Sequence, residues 1–261
     1  MLYHRSVPDQ PRPVRSRALA ITRIAATLVI GAMLGAGVGV AVVADPLASS
    51  ELPPEERAPV DPLSTLPDQP AALIIGDSFS EGVGASKPDA GWARTASDAL
   101  SWRATIDAVG GTGFTKGVAS DGRTGLAFGD RIEAHAATGA EYDVIVLQGG
   151  LNDFLAPHRE EVVATKQAVE AARERWPDAA IVVFGPLEPL ALGVQRSARL
   201  AAIREGADEA GATFVDPKLP DAWINERNSV RFDAGDGLHL NDAGYAFIAA
   251  RFAAVIESYA G

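Results

Sequence analysis

Four turn-like stretches of this chain hold the side chains able to do covalent or proton-transfer chemistry. The first, Gly76-Asp77-Ser78-Phe79-Ser80-Glu81-Gly82, follows the apolar run Ala72–Ile75. A serine hydroxyl becomes a nucleophile when a base stands beside it, and the N–H groups of such a turn can face a developing negative charge. Taken alone, Gly-Asp-Ser is a common turn tripeptide. The second stretch, Gly110-Gly111-Thr112-Gly113-Phe114, has three glycines in four positions, which permits positive φ and close backbone approach. It has neither the Gly-Lys-Ser/Thr ending of a phosphate loop nor the glycine spacing of a dinucleotide site.

The third stretch is Gln148-Gly149-Gly150-Leu151-Asn152-Asp153. The amide of Asn152 has two N–H donors that can point at an oxyanion. Taken alone, the stretch is better accounted for as a turn or helix cap. The fourth stretch is Asp236-Gly237-Leu238-His239. Histidine is suited to take a proton from serine near neutral pH. A carboxylate three residues earlier can accept from one ring nitrogen and leave the other free as base. The other histidines, His4, His135 and His158, lack such an acid and read as peripheral. Asp236 and His239 make a poor metal pair, because no further His or Cys lies nearby.

These turns need elements to hold them. Short apolar runs at Ala71–Ile75, Ala104–Val109, Tyr142–Leu147, Ala180–Phe184 and Thr213–Val215 read as strands. Helical spacing fills Gly91–Ser101, Gly122–Ala137, His158–Arg175 and Val194–Ala210, and a last helix runs from Asn241 or Asp242 to Tyr259. Wholly apolar strands alternating with helices predict a parallel sheet of about five strands covered on both faces, a three-layer α/β/α domain. Ligands of such sheets bind at the carboxyl ends of the strands, and the turns above are placed there.

The four blocks in this order resemble the SGNH, or GDSL-like, hydrolase superfamily. They are Gly76-Asp77-Ser78, Gly113, Gly150-x-Asn152-Asp153 and Asp236-x-x-His239. The resemblance covers about residues 70–259. It implies a flavodoxin-like fold and a serine ester hydrolase without cofactor or metal. Ser78 would be the nucleophile, His239 the base and Asp236 its orienting acid. The Ser78 N–H, the Gly113 N–H and the Asn152 side chain would form the oxyanion hole. The family's second block begins with an asparagine five residues before its glycine. Ala108 stands there in this chain, so Gly111 remains an alternative to Gly113. Phe79 replaces a usual leucine, which changes packing rather than chemistry. An ordinary α/β-hydrolase is disfavoured, since no serine has the Gly-x-Ser-x-Gly setting.

The front of the chain has a different character. Ile24–Ala44 is free of charge over 21 positions, with five arginines before it and Asp45 after it. A helix of that length spans a bilayer core of about 30 Å, and the charge bias puts the following domain outside the cytoplasm. A membrane anchor and a cleaved signal peptide, which would leave a secreted product, both fit. Seven prolines in residues 45–70 predict an extended spacer, so the soluble domain is expected over 71–261.

The chain carries a net charge of −11 although its first 23 residues are basic, so the remainder is strongly acidic. That disfavours nucleic acid as a partner. The lack of cysteine excludes disulfides, thiolate metal sites and a thiol nucleophile. The expected substrate is a lipid, glycan or small-molecule ester. An acyltransferase to a sugar hydroxyl would use the same residues, and a non-catalytic envelope-binding domain would not need them. Pocket walls are expected from Glu188–Gln195 and Lys218–Gly235. The latter, with Trp223 and Phe232, either covers the site or packs on its own aromatics.

Overall fold

The computed structural model describes residues 61–187, 190 and 199–259. These all belong to one compact unit, Glu56–Gly261. The expected apolar segment 24–44, most of the spacer and, apart from Leu190, the expected wall Glu188–Gln195 lie outside the described residues. No helix among the described residues is long and apolar enough to cross a membrane.

Five parallel strands form one sheet: β1 (Ala71–Gly76), β2 (Arg103–Ala108), β3 (Val144–Gln148), β4 (Ala180–Phe184) and β5 (Thr213–Val215). Their order is β2-β1-β3-β4-β5, the flavodoxin-like arrangement. Between and after them run α1 (Ser78–Glu81), α2 (Trp92–Ala99), α3 (Phe128–Ala136), α4 (His158–Arg175), α5 (Arg199–Glu209), α6 (Ser229–Phe232) and α7 (Asp242–Glu257).

The apolar strands make two cores because successive side chains point to opposite faces. Ala72 and Ile74 of β1 join Trp92, Phe184, Ile248 and Phe252 on the α2/α7 face. Leu73 and Ile75 join Phe128, Ile132, Val169 and Ile203 on the α3/α4/α5 face. Trp92 anchors the first core, with its ring centroid 5.0 Å from Phe184 and 5.1 Å from Phe252.

Register sets the site. Gly76 pairs with Ala108 on one side and with Gln148 on the other. The first three loops therefore leave the sheet at one level.

Three expectations change. The helix expected over Gly122–Ala137 begins at Phe128, because Gly122 and Gly125 take φ of 89° and 69°, outside helical space. The spacer ends sooner than residue 70. Asp61 accepts the Leu63 N–H and caps a 3₁₀ turn at Pro62–Thr65, and Leu63 enters the core. The segment 218–235 neither covers the serine nor packs only on itself. Trp223 and Phe232 are buried in the α2/α7 core, where Trp223 lies 5.6 Å from Phe184 and Phe232 stacks on Phe247.

Candidate active site

The first loop turns sharply because Asp77 and Gly82 bracket it. Asp77 Oδ1 accepts the Phe79 N–H at 2.9 Å, and Gly82 caps the single turn α1 in left-handed geometry. Ser78 is thereby held at the start of α1, directly above β1. No acceptor for its N–H is found among the described residues.

His239 reaches it from the far end of the chain. Phe232–Asn241 forms a small hairpin closed by an Asp233–Leu240 bridge. Asp233 Oδ1 accepts the Gly235 and Gly237 N–H groups inside it. Asn241 caps α7 by accepting the Gly244 N–H, while its own amide donates to the Arg231 and Asp233 carbonyls. Helix α7 is then tied to the loop after Ser78. Tyr245 donates to the Val83 carbonyl at 2.6 Å, and Asp242 accepts from the Ser86 N–H and hydroxyl.

The result is a continuous hydrogen-bond line. Asp236 Oδ2 lies 2.6 Å from His239 Nδ1, and His239 Nε2 lies 2.9 Å from Ser78 Oγ. Partial burial pushes the Asp236 pKa up. The His239 ring and the His239 and Leu238 N–H groups outweigh that and hold it at about 2. Asp236 is therefore ionised at neutral pH and fixes the proton on Nδ1. Nε2 is left to accept from the Ser78 hydroxyl.

Asn152 stands on the same rim, in a 3₁₀ turn at Leu151–Asp153. One of its amide hydrogens goes to the Thr112 carbonyl at 2.9 Å, and no acceptor for the other is found among the described residues. Ser78, Gly111, Asn152 and His239 line one open hollow of about 400 Å³.

Gly113 does not have the geometry expected of an oxyanion donor. Its N–H donates to the Lys116 carbonyl at 3.0 Å. A Cβ there would come within 2.1 Å of the Asp153 carboxylate, so this glycine makes room for Asp153. Gly110 and Gly111 both line the hollow, and the Gly110 N–H donates to Glu81, which leaves Gly111. Its φ is 84°, and no acceptor for its N–H is found among the described residues.

Two buried side chains at the site carried no assignment from sequence. Asp153, 1 % exposed, accepts the Phe114, Thr115 and Lys116 N–H groups and the Thr115 hydroxyl at 2.6–3.0 Å. Arg131, 3 % exposed, donates to the Gly76 carbonyl and Thr112 hydroxyl and pairs with Asp107 at 2.8 Å. His135 Nε2 reaches the same Asp107 at 3.1 Å, so His135 is part of this support rather than peripheral. The i,i+4 spacing of Arg131 and His135 puts both on one helix face and was the available signal. His158 is exposed and pairs with Glu205.

Asp77 has an unusual setting. It is fully buried, and burial pushes its pKa up to about 7 against the pull of the Phe79 N–H and of Gln148. Neither its Oδ2 nor the Gln148 Nε2 has a partner in hydrogen-bond geometry. A carboxyl whose folded pKa lies above its unfolded value stabilises the fold fully below about pH 4. That contribution is lost as pH rises toward 7. Asp77→Asn keeps an acceptor for the Phe79 N–H and cannot ionise. Its melting temperature relative to wild type should therefore rise by several degrees between pH 5 and pH 8. A gap independent of pH, measured by calorimetry, would contradict this.

The fold and the site together define a serine esterase. The chain belongs to the GDSL-like Lipase/Acylhydrolase family, whose sequence profile matches residues 74–247. It is 30 % identical over 194 residues to a GDSL lipase of Mycobacterium tuberculosis, covering 70 % of this chain and 80 % of that one. Its fold is shared with a carbohydrate acetylesterase family member from Sinorhizobium meliloti (TM-score 0.54, 21 % identity, 73 % of this chain and 99 % of that one). The aryl esterase of M. smegmatis is similar too (TM-score 0.56, 17 % identity, 72 % and 99 %).

Proposed function

We propose that the protein is an extracytoplasmic esterase that works through an acyl-enzyme on Ser78. The observation that carries this is the unbroken line from Asp236 through His239 to the Ser78 hydroxyl, at 2.6 and 2.9 Å. Ser78 Oγ attacks the ester carbonyl carbon while its proton passes to His239 Nε2. The resulting oxyanion is met by the Ser78 and Gly111 N–H groups and by the free hydrogen of the Asn152 amide. Collapse breaks the bond to the alcohol oxygen, which takes the proton from His239. Water then repeats the sequence on the acyl-enzyme, giving up a proton to His239 and releasing the acid and Ser78. Asp236 stays ionised throughout and supports the imidazolium at each transfer.

The location rests on the sequence. Five arginines, an uncharged run at Ile24–Ala44 and an acid after it are what a chain needs to leave its domain outside. One experiment reads both parts. A charged, membrane-impermeant fluorophosphonate added to intact cells should label the full-length protein and fail to label Ser78→Ala. Labelling of the variant equal to wild type removes the nucleophile assignment. Labelling only after lysis removes the location.

A further inference from the structure

The hollow around Ser78 has walls the reaction does not require. Glu81, one helical turn after Ser78, accepts the Gly110 N–H with Oε2 at 2.8 Å. No hydrogen bond to its Oε1 is found among the described residues, and the side chain borders the hollow. A Cβ built on Gly110 would lie 2.8 Å from Glu81 Oε2, 3.5 Å from Ser78 Cβ and 3.8 Å from Ser120 Oγ. A carboxylate and a hydroxyl thus flank the nucleophile within one side chain's reach. Ser120 is exposed, and its hydroxyl makes no hydrogen bond among the described residues. Farther out, Arg123 pairs with Asp121 at 2.8 Å, both more than half exposed.

These walls narrow the substrate. Among the described residues the apolar lining is four small or branched aliphatic side chains, Val83, Val109, Ala119 and Leu238. That is enough for a short acyl group and lacks the long apolar trough an extended chain would need. Glu81, Asp121 and the nearby Asp236 repel anionic esters, and Arg123 is already paired. Among the described residues no Phe, Tyr or Trp lines the hollow, so a quaternary ammonium finds no aromatic cage there. A neutral group with several hydroxyls is left. Its O–H groups can donate to Glu81 and exchange hydrogen bonds with Ser120, and charge-assisted bonds of this kind are the stronger ones.

We propose that Glu81 and Ser120 are specificity residues that bind the hydroxyls of a short-chain ester of a sugar or polyol. This rests on the esterase reading above. The test compares two acetates with the same acyl group, a monoacetylated methyl glycoside and an aryl acetate. The ratio of their kcat/KM values is taken for wild type, Glu81→Gln and Ser120→Ala. Glu81→Gln keeps an oxygen for the Gly110 N–H, so the loop stays supported while the charge is lost. The ratio of glycoside to aryl acetate is expected to fall about tenfold in Glu81→Gln and about threefold or more in Ser120→Ala. An unchanged ratio in both variants overturns the proposal, with Glu81 then serving only to hold Gly110. Wild type that cleaves the aryl acetate but not the glycoside also overturns it and leaves the esterase reading standing. Wild type inert to both acetates and to the fluorophosphonate would sink the esterase reading itself.

Discussion

Ser78→Ala and His239→Ala should each lower kcat by about 10⁴–10⁶, and the double variant should be no slower than either single one. The hydroxyl is a poor nucleophile until a base takes its proton, and the imidazole has no other task in the first step. The two groups are joined by one 2.9 Å contact, so removing either abolishes the same event. What survives is the contribution of substrate binding and oxyanion contacts. Asp236→Asn should be milder than either. It retains an oxygen for the Leu238 and His239 N–H groups, which Oδ1 now accepts, but it loses the charge that steadies the imidazolium. Single-turnover rates on an aryl acetate decide the matter. Losses that multiply in the double variant would show that the two side chains act independently, contrary to the scheme.

The second large effect is expected at Asp153, which never meets substrate. Its carboxylate is the acceptor for three consecutive N–H groups and a hydroxyl, and it keeps the glycine-rich loop in the shape that presents Gly111. Asp153→Ala leaves the buried Phe114 N–H and the partly buried Thr115 and Lys116 donors without partners, at up to about 1–3 kcal/mol each. Partial relaxation brings the total to roughly 3–5 kcal/mol, equivalent to a fall in melting temperature of about 10 °C. The kcat per folded molecule should also fall, by about 10²-fold, with little change in KM, because a displaced loop no longer supports the oxyanion. Asn152→Ala is the control. It removes one proposed oxyanion donor and should lower kcat by about 10²–10³ while the protein stays folded. Asp153→Asn keeps part of the acceptor set and should recover part of kcat. Wild-type kcat per folded molecule in Asp153→Ala, with folding followed by circular dichroism, would make Asp153 a stability residue only.

Much of this was legible before any coordinates. Wholly apolar strands have one stable solution, a covered parallel sheet, and Ala71–Ile75 and Ala180–Phe184 fall where the pattern puts them. The pairing of Ser78 with His239 was legible from the Asp-x-x-His spacing, from the convergence of loops at strand ends and from the resemblance of the four ordered blocks to the SGNH superfamily. The choice between Gly113 and Gly111 was not legible. It depends on which N–H is already engaged, and that is decided by Asp153, 40 residues away. The helix α3 starts later than the spacing predicts because Gly122 and Gly125, poor helix formers, take positive φ. Trp223 and Phe232 gave no direction, since a sequence shows that aromatics will be buried without showing against what.

The nucleophile and its base stand 161 residues apart along the chain. One lies above the first strand, and the other just before the last helix. A ribosome therefore releases an inert polypeptide until that helix has settled against the segment 83–86. An esterase made in this order cannot attack acyl groups before its last helix has folded.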